Sequence, residues 1–492
     1  MNNSPFIHKF KSLSGKYYIY DVGTSRIVCV SKIIYDIIND FGLLSQFDII
    51  SKYISKYNRQ HIIKAFEEIK LHKSKGLFSP ARFRKMHHHP LDEQTKLKLS
   101  SQIGYMCLNI TDSCNLRCKY CAFSGTYYFE RLHSSKSMSN KLIKKAANFY
   151  TRHAREAENK AISIYGGEPL TVFQKIVYLS DVLSNSNSNS DYIIRIDTNG
   201  VLLSDPHIAN YVIKNNIDLQ ISLDGPKSTQ DSYRVDKNNK PTYDKIISNL
   251  SNIKKINRQY YDKHVSFSIT LAPDYNLYEI NNFFETNELV KRHHIMCSSV
   301  KRDDTNFFDR YTPDIYKKKQ KQMQTLKGNY INARIAGKEP TAFEKALFEK
   351  SMVLLHARKL DEPYDTISIN GCCFPGLKKI FVNTNGDIHP CEKVGNAYNI
   401  GNIDKGLDLN KIKNMLTQYL SASETHCIKC WAAKICGICF SHAVKNHKFD
   451  FERKKENCHL ILSGLHDELV TYATILENNP QAFDFVKNMN FR

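Results

Sequence analysis

The stretch that most constrains this chain is Cys114-Asn115-Leu116-Arg117-Cys118-Lys119-Tyr120-Cys121, in which three cysteines spaced C-x3-C-x2-C follow the apolar run 106–110. That spacing lets three thiolates converge on one small object. A four-iron cubane has four corners, so three protein ligands leave one iron open to a non-protein ligand, and an open iron implies chemistry. A zinc ion would want a fourth ligand close by, and none stands beside this loop. The plain alternative is three reduced structural cysteines that cluster without a metal.

The loop resembles the signature of the radical S-adenosylmethionine (SAM) enzymes, which also carry an aromatic residue just before the third cysteine, here Tyr120. The resemblance implies that SAM chelates the open iron through its amino and carboxylate groups. An electron from the cluster then splits the sulfonium into methionine and a 5′-deoxyadenosyl radical, which takes a hydrogen atom from the substrate.

At 492 residues with 41% hydrophobic content, the chain should fold as two or three domains. No apolar run approaches the ~18 residues of a membrane span, and the polar first turn of sequence lacks a signal-peptide core, so a cytoplasmic location without a membrane partner is expected. Fourteen cysteines would stay reduced there, and their grouping favours metal ligation over disulfides. A net charge of +21 suits an acidic peptide or a nucleic acid. Lysine is spread along the chain, however, so charge alone does not select nucleic acid, which is not an expected partner.

Residues 1–97 read as a winged-helix-like domain, with strands at 16–21 and 25–30 joined by Gly23-Thr24 and helices at 31–41, 46–57 and 59–75. Such a unit is also compatible with DNA binding. The segment Tyr17-Tyr18-Ile19-Tyr20-Asp21 with Val30-Ser31-Lys32 resembles instead the recognition domain fused to peptide-maturing enzymes, which implies that a precursor leader adds as a strand to a sheet edge. A linker, 79–96, carries His87-His88-His89, read as exposed because consecutive side chains diverge.

Residues 98–325 alternate strands and helices, the strands falling at 106–110, 161–165, 192–197, 217–223, 265–271 and 294–300. Six such units match the partial (β/α)6 barrel of the radical SAM family, an α/β fold with catalytic groups at the strand C-terminal ends. By the same resemblance Gly166-Gly167-Glu168-Pro169 holds the SAM amino group and Thr198-Asn199 forms the floor of the nucleoside pocket. Ser222 and Asp224 end the fourth strand, and Arg234 pairs with the SAM carboxylate. Relatives often carry His-Asp before that arginine, where this chain has Gln230-Asp231. Segment 184–190 alternates Ser and Asn and reads as a surface loop. Cys29, Cys107 and Cys297 lie in apolar runs and read as small core residues. A polar helical segment, 326–365, bridges to the last domain.

Residues 366–492 hold eight cysteines: Cys372, Cys373, Cys391, Cys427, Cys430, Cys436, Cys439 and Cys458. A hairpin with its Asn385-Gly386 turn folds Cys373 toward Cys391. One zinc on C-x2-C-x5-C-x2-C would leave the others unassigned. The field resembles the iron–sulfur (SPASM) extension of peptide-modifying radical SAM enzymes, which implies two auxiliary clusters. Cys427, Cys430, Cys436 and Cys458 would hold the outer one, and Cys373, Cys391 and Cys439 the inner one. Cys372 is the alternative closure of the inner cluster's fourth corner, which could otherwise take a substrate thiol. Glu392 resembles an acidic residue that relatives use as a proton acceptor.

The expectation is therefore a radical SAM enzyme with SAM and three 4Fe-4S clusters, supplied by an external electron donor and acting on a precursor peptide by intramolecular thioether cross-linking. Carbon–carbon or carbon–oxygen cross-linking, or Cys/Ser-type oxidation as in sulfatase maturation, is the alternative. A redox-sensing iron–sulfur DNA-binding regulator is the reading from another class.

Overall fold

The computed structural model describes residues 3–128, 130–185, 192–361, 364–395 and 397–489. Its N-terminal unit is an antiparallel sheet of β1 (Ile7–Lys11), β2 (Tyr17–Asp21) and β3 (Ile27–Val30), followed by α1 (Lys32–Ile37), α2 (Gln46–Tyr53) and α3 (Arg59–Ser74). Ser31, Ser45 and Asn58 start the helices by accepting backbone N–H bonds, which satisfies groups that the first turn leaves unpaired. Ile34, Ile37, Ile49, Ile62, Phe66 and Ile69 then face Ile19 and Val30 in one small core. Three strands are present where two were expected. β1 escaped notice because its alternation is weak, and what fixes it is pairing with β2 together with packing of Phe10 on residues far along the chain. Cys29, read as a core residue, is exposed, whereas Val30 beside it on β3 points into the core.

The expected linker is partly ordered. β4 (Lys85–His87) pairs in parallel with a strand near residue 367, and His87 Nε2 lies 3.1 Å from Ser368 Oγ, before α4 (Glu93–Ser101) leads into the central sheet. That sheet opens with β5 (Tyr105–Thr111), α5 (Asn140–His153), β6 (Ala161–Gly166), α6 (Phe173–Ser184), β7 (Ile193–Thr198), α7 (Pro206–Lys214) and β8 (Asp218–Ser222). It continues through α8 (Lys227–Tyr233), α9 (Tyr243–Ile256), α10 (Arg258–His264), β9 (Val265–Leu271), α11 (Leu277–Thr286) and β10 (Ile295–Ser299). The six strands are parallel neighbours in sequence order. Of the predicted serine–asparagine loop, residues 186–190 lie outside the described residues.

The strands are clean alternators. Met106, Leu108, Ile110, Ile162, Ile164, Ile196, Leu219, Ile221, Phe267 and Ile269 share one core with the crossover helices. The opposite rank is polar, including Asn109, Ser163, Asp197, Gln220 and Ser268. A parallel sheet buried by helices on both faces would read as continuous apolar runs, so a polar inner rank marks a lumen that receives polar matter.

The chain then forms α12 (Pro313–Ile335), α13 (Ala342–His356), β11 (Thr366–Ser368), β12 (Lys379–Val382), β13 (Asp387–His389), β14 (Gly401–Asn402) and β15 (Gly406–Leu407). It closes with α14 (Leu409–Ser421), α15 (Glu424–Cys427), β16 (Val444–Lys445), β17 (Lys448–Phe449) and α16 (Phe451–Asn478). The sheet does not stop at six strands. β12 pairs in parallel with β5, placing Phe381 opposite Cys107, and β13 to β15 continue outward to give ten strands. The hairpin of the cysteine-rich segment is thus hydrogen-bonded to the first barrel strand, with Gly386 at φ 85° in its turn.

Candidate active site

The three-cysteine loop leaves β5 and is pinned from both sides. Arg117 N donates to Val235 O at 2.7 Å and Lys119 N to Tyr233 O at 2.9 Å, while the N–H groups of Leu116 and Phe123 reach Cys114 Sγ and Cys121 Sγ at 3.4 Å each. Burial pushes the Cys114 and Cys118 thiols up to about 12, with the charge of neighbouring cysteines adding to it, and burial raises Cys121 too. Bare, these groups keep their protons; a metal cation must displace them. Cationic Arg117, Arg131 and Arg234 surround the loop and favour the anionic form of Cys121. The donor set suits an iron–sulfur cluster with thiolate ligands.

Gly166 and Gly167 are required by close approach of two backbone segments. A Cβ on Gly166, at φ 143°, would stand 2.2 Å from Thr111 O, and one on Gly167 would stand 2.1 Å from Ser113 O. Gly167 N and Glu168 N donate to those same two carbonyls at 2.8 Å each. The Glu168 carboxylate is buried and occupied: it accepts from Thr198 Oγ1 at 2.7 Å, Asn199 N at 2.7 Å and Leu170 N at 3.1 Å. Burial raises it to about 7, against those three donors. Pro169 opens a buried 3-10 turn. Asn199 Nδ2 donates to Asn115 Oδ1 at 2.8 Å, so three loops that the sequence separates are tied into one rim.

Asp224, at 0% exposure, is the second hub. It accepts from Tyr120 OH, Arg234 Nε (3.1 Å), Tyr275 OH (3.1 Å) and Thr270 N (3.0 Å). Arg234, expected to reach the SAM carboxylate, thus has its Nε committed to Asp224, and its guanidinium lies 5.4 Å from the Tyr120 ring centre. Ser222 Oγ lies 3.5 Å from Ser268 Oγ. Asp231, where relatives have a His-Asp pair, accepts from Thr242 N and Tyr243 N and so fixes the start of α9, while Gln230 Oε1 takes the Asp224 N–H.

Asn115, Tyr275, Arg131 and His133 were missed. Tyr275 sits just past the C-terminal end of β9, where barrel chemistry collects, and that position was its only signal. Arg131 stacks on Phe123 at 3.8 Å and His133 Nε2 lies 3.8 Å from Cys121 Sγ. Both belong to a loop with no periodicity to read.

The C-terminal cysteines separate into two sets. Cys427, Cys430, Cys436 and Cys458 lie within electrostatic reach of one another. Lys454, 4% exposed, extends Nζ to 3.4 Å from Cys427 Sγ and donates to Ser423 Oγ. A buried ammonium with a hydroxyl and a sulfur for partners wants negative charge, which metal-held thiolates provide. The second set differs from the expectation. Cys372 and Cys391 each lie within electrostatic reach of Cys439, and Cys372 Sγ is 3.8 Å from Ile438 O, while Cys373 is exposed. Successive residues of an extended segment point to opposite sides, and Gly371, at φ 72°, lets this one approach the knuckle backbone. Glu392 pairs with Lys379 at 2.6 Å. Among the described residues no three His, Cys, Asp or Glu side chains stand close enough to hold a single ion, so these are loose sets rather than one-ion cages. Also among them, no helix is long and apolar enough to cross a membrane.

Residues 108–286 match the family model for the Radical SAM superfamily. The chain is 23% identical over 351 residues to the cysteine-type anaerobic sulfatase-maturating enzyme of Clostridium novyi, covering 69% of this chain and 87% of that protein. It is 26% identical over 283 residues to the radical SAM cyclopropyl synthase TigE of Paramaledivibacter caminithermalis, covering 52% of this chain and 54% of that protein. Among solved structures, anSMEcpe with bound AdoMet superposes with a TM-score of 0.54 at 17% identity, over 79% of this chain and 96% of that one. The same protein with AdoMet and the Cp18Cys peptide gives 0.53 at 17% identity, over 78% and 99%. Residues 108–286 thus form a radical SAM domain, which implies an enzyme that uses SAM and a 4Fe-4S cluster.

Proposed function

We propose that this enzyme matures a ribosomally made precursor peptide, closing an intramolecular thioether. Cys114, Cys118 and Cys121 would hold the cluster that, with SAM bound, would supply a 5′-deoxyadenosyl radical for hydrogen abstraction, and the two C-terminal cysteine sets would hold further 4Fe-4S clusters for electron transfer from an external donor. The observation that carries the reading is the division of the C-terminal cysteines into an outer and an inner set, the inner one beside a hairpin bonded to the first barrel strand.

The chain's own groups have definable tasks. The rim of Gly166-Gly167-Glu168-Pro169, Thr198 and Asn199 presents backbone and amide groups to a nucleoside amino acid, and Arg234 turns its remaining donors toward a carboxylate. Lys379 holds the Glu392 carboxylate at the inner set, where it can take a proton. In the N-terminal unit β2 is paired on both sides and β3 on one, leaving a β3 edge on which a leader strand can add.

The C. novyi relative, a cysteine-type anaerobic sulfatase-maturating enzyme, favours a second reading, oxidation of one cysteine or serine side chain. Carbon–carbon or carbon–oxygen cross-linking shares the same first step. The test uses a candidate precursor peptide that contains cysteine, SAM and a low-potential reductant. Thioether formation predicts 5′-deoxyadenosine, loss of two hydrogens and a cysteine that resists alkylation. An aldehyde that a hydrazide traps selects sulfatase-type oxidation, and a product whose cysteines all alkylate refutes the thioether.

A further inference from the structure

The N-terminal sheet does not stand apart from the cysteine-rich end of the chain. The His8 ring, on β1, stacks on Trp431 with centroids 3.6 Å apart and planes 10° from parallel. Trp431 follows Cys430 directly and is the chain's only tryptophan. His8 Nε2 also meets His466 Nδ1 at 2.9 Å, on the helix that carries Cys458 eight residues earlier. Around this stack, Lys434 Nζ donates to Gly23 O at 2.6 Å, Leu13 N to Thr474 Oγ1 at 3.0 Å and Ser14 Oγ to Glu477 at 2.6 Å. Phe6, Phe10, Tyr20 and Val22 of the N-terminal unit share one apolar core with Ala433, Leu469 and Tyr472, and Cys427, Cys430 and Trp431 pack against it. The helices of the same unit, by contrast, form a core of their own.

The sheet that would receive a leader is therefore packed on the segment that carries the outer cysteine set. A knuckle of short turns has little regular structure of its own and depends on its metal for a fixed shape. Whatever holds Cys430 in place holds Trp431, and Trp431 is the seat of His8.

We propose that His8 and Trp431 are positioning residues that couple the outer cysteine set to the N-terminal sheet, so that loading the set with iron and sulfide fixes the sheet in the orientation that delivers a peptide to the barrel. This rests on the reading that the outer set holds a cluster. Coupling of this kind is reciprocal: if the loaded set steadies the sheet, the docked sheet must steady the loaded set by the same factor.

The experiment uses the full chain, reconstituted without oxygen, with two readouts other than activity: iron bound per chain, and amide hydrogen exchange read by mass spectrometry. Cys458→Ser, which removes one outer-set ligand and leaves His8, Trp431 and His466 in place, should speed exchange in 7–21 roughly tenfold, within the usual range of coupled sites, and leave 105–111 unchanged. His8→Leu, with every cysteine in place, should release outer-set iron to a chelator faster by a similar factor and shift Trp431 emission. His8→Phe, which keeps a stacking ring, should restore both. Should Cys458→Ser unfold wholesale, the His8 pair still decides. Exchange in 7–21 unmoved after the outer iron is lost, or iron release unmoved in His8→Leu, overturns the coupling. A wild-type content of about eight irons, rather than the about twelve of three cubanes, overturns the cluster reading beneath it.

Discussion

Replacing Asp224 with alanine tests the inner logic of the site most directly. The carboxylate is 0% exposed and the Arg234 side chain it faces only 9% exposed, so the substitution leaves a guanidinium in the interior with its ion partner gone. Removing one partner of a buried pair costs about 3–5 kcal/mol, and the stranded N–H of Thr270 and hydroxyls of Tyr120 and Tyr275 add to that. At ~2–4 °C per kcal/mol for a barrel of this size, thermal unfolding of the metal-free protein should fall by roughly 10 °C or more. Asp224→Asn, which keeps the shape and one carbonyl acceptor, should fall by less than half as much. Because Tyr120 immediately precedes Cys121, the alanine variant should also take up less iron at the first cluster. The decisive measurement is the cycle with Arg234→Ala. Deleting both partners removes the stranded charge, so the double variant should be more stable than the sum of the single losses by about 1–3 kcal/mol. Losses that simply add would mean that Asp224 and Arg234 do not act as a pair, and the hub reasoning would fail.

Gly167→Ala should keep the iron of the first cluster but lose SAM binding by at least tenfold in a direct binding titration, because its Cβ meets Ser113 O at 2.1 Å and the rim must shift away from the cysteine loop. Glu168 is raised by burial, so the folded protein binds its proton before the unfolded chain does. This carboxylate destabilises the fold most above about pH 7 and progressively less as pH falls toward 4.5; Glu168→Gln should flatten that part of the thermal stability profile. Cys372→Ser should lower the iron content of the inner set while Cys373→Ser leaves it unchanged, which follows from the buried and exposed thiols. Lys454→Met should weaken iron retention at the outer set, and Lys454→Arg should recover part of it, as judged by chelator competition.

The sequence by itself determined the chemistry that the chain can carry and the repeating unit that carries it. Three cysteines in C-x3-C-x2-C after an apolar run, and Gly-Gly-Glu-Pro after the next, are local patterns, and each strand of the (β/α) run declares itself through its alternation, because the helix-facing rank has to be apolar. Spacing also foretold the Asn385-Gly386 hairpin, since that dipeptide accepts the backbone of a tight turn. Tertiary structure alone decided who meets whom. Pairing of residue 379 with residue 105 and stacking of residue 8 on residue 431 join positions hundreds apart, and no short-range period encodes such partners. The neighbours within the site were decided the same way. Glu168 and Asp224 read from the sequence as ligand-binding groups, and folding also ties each carboxylate to donors from other loops, because a buried anion must be satisfied by whatever donors the fold brings to it.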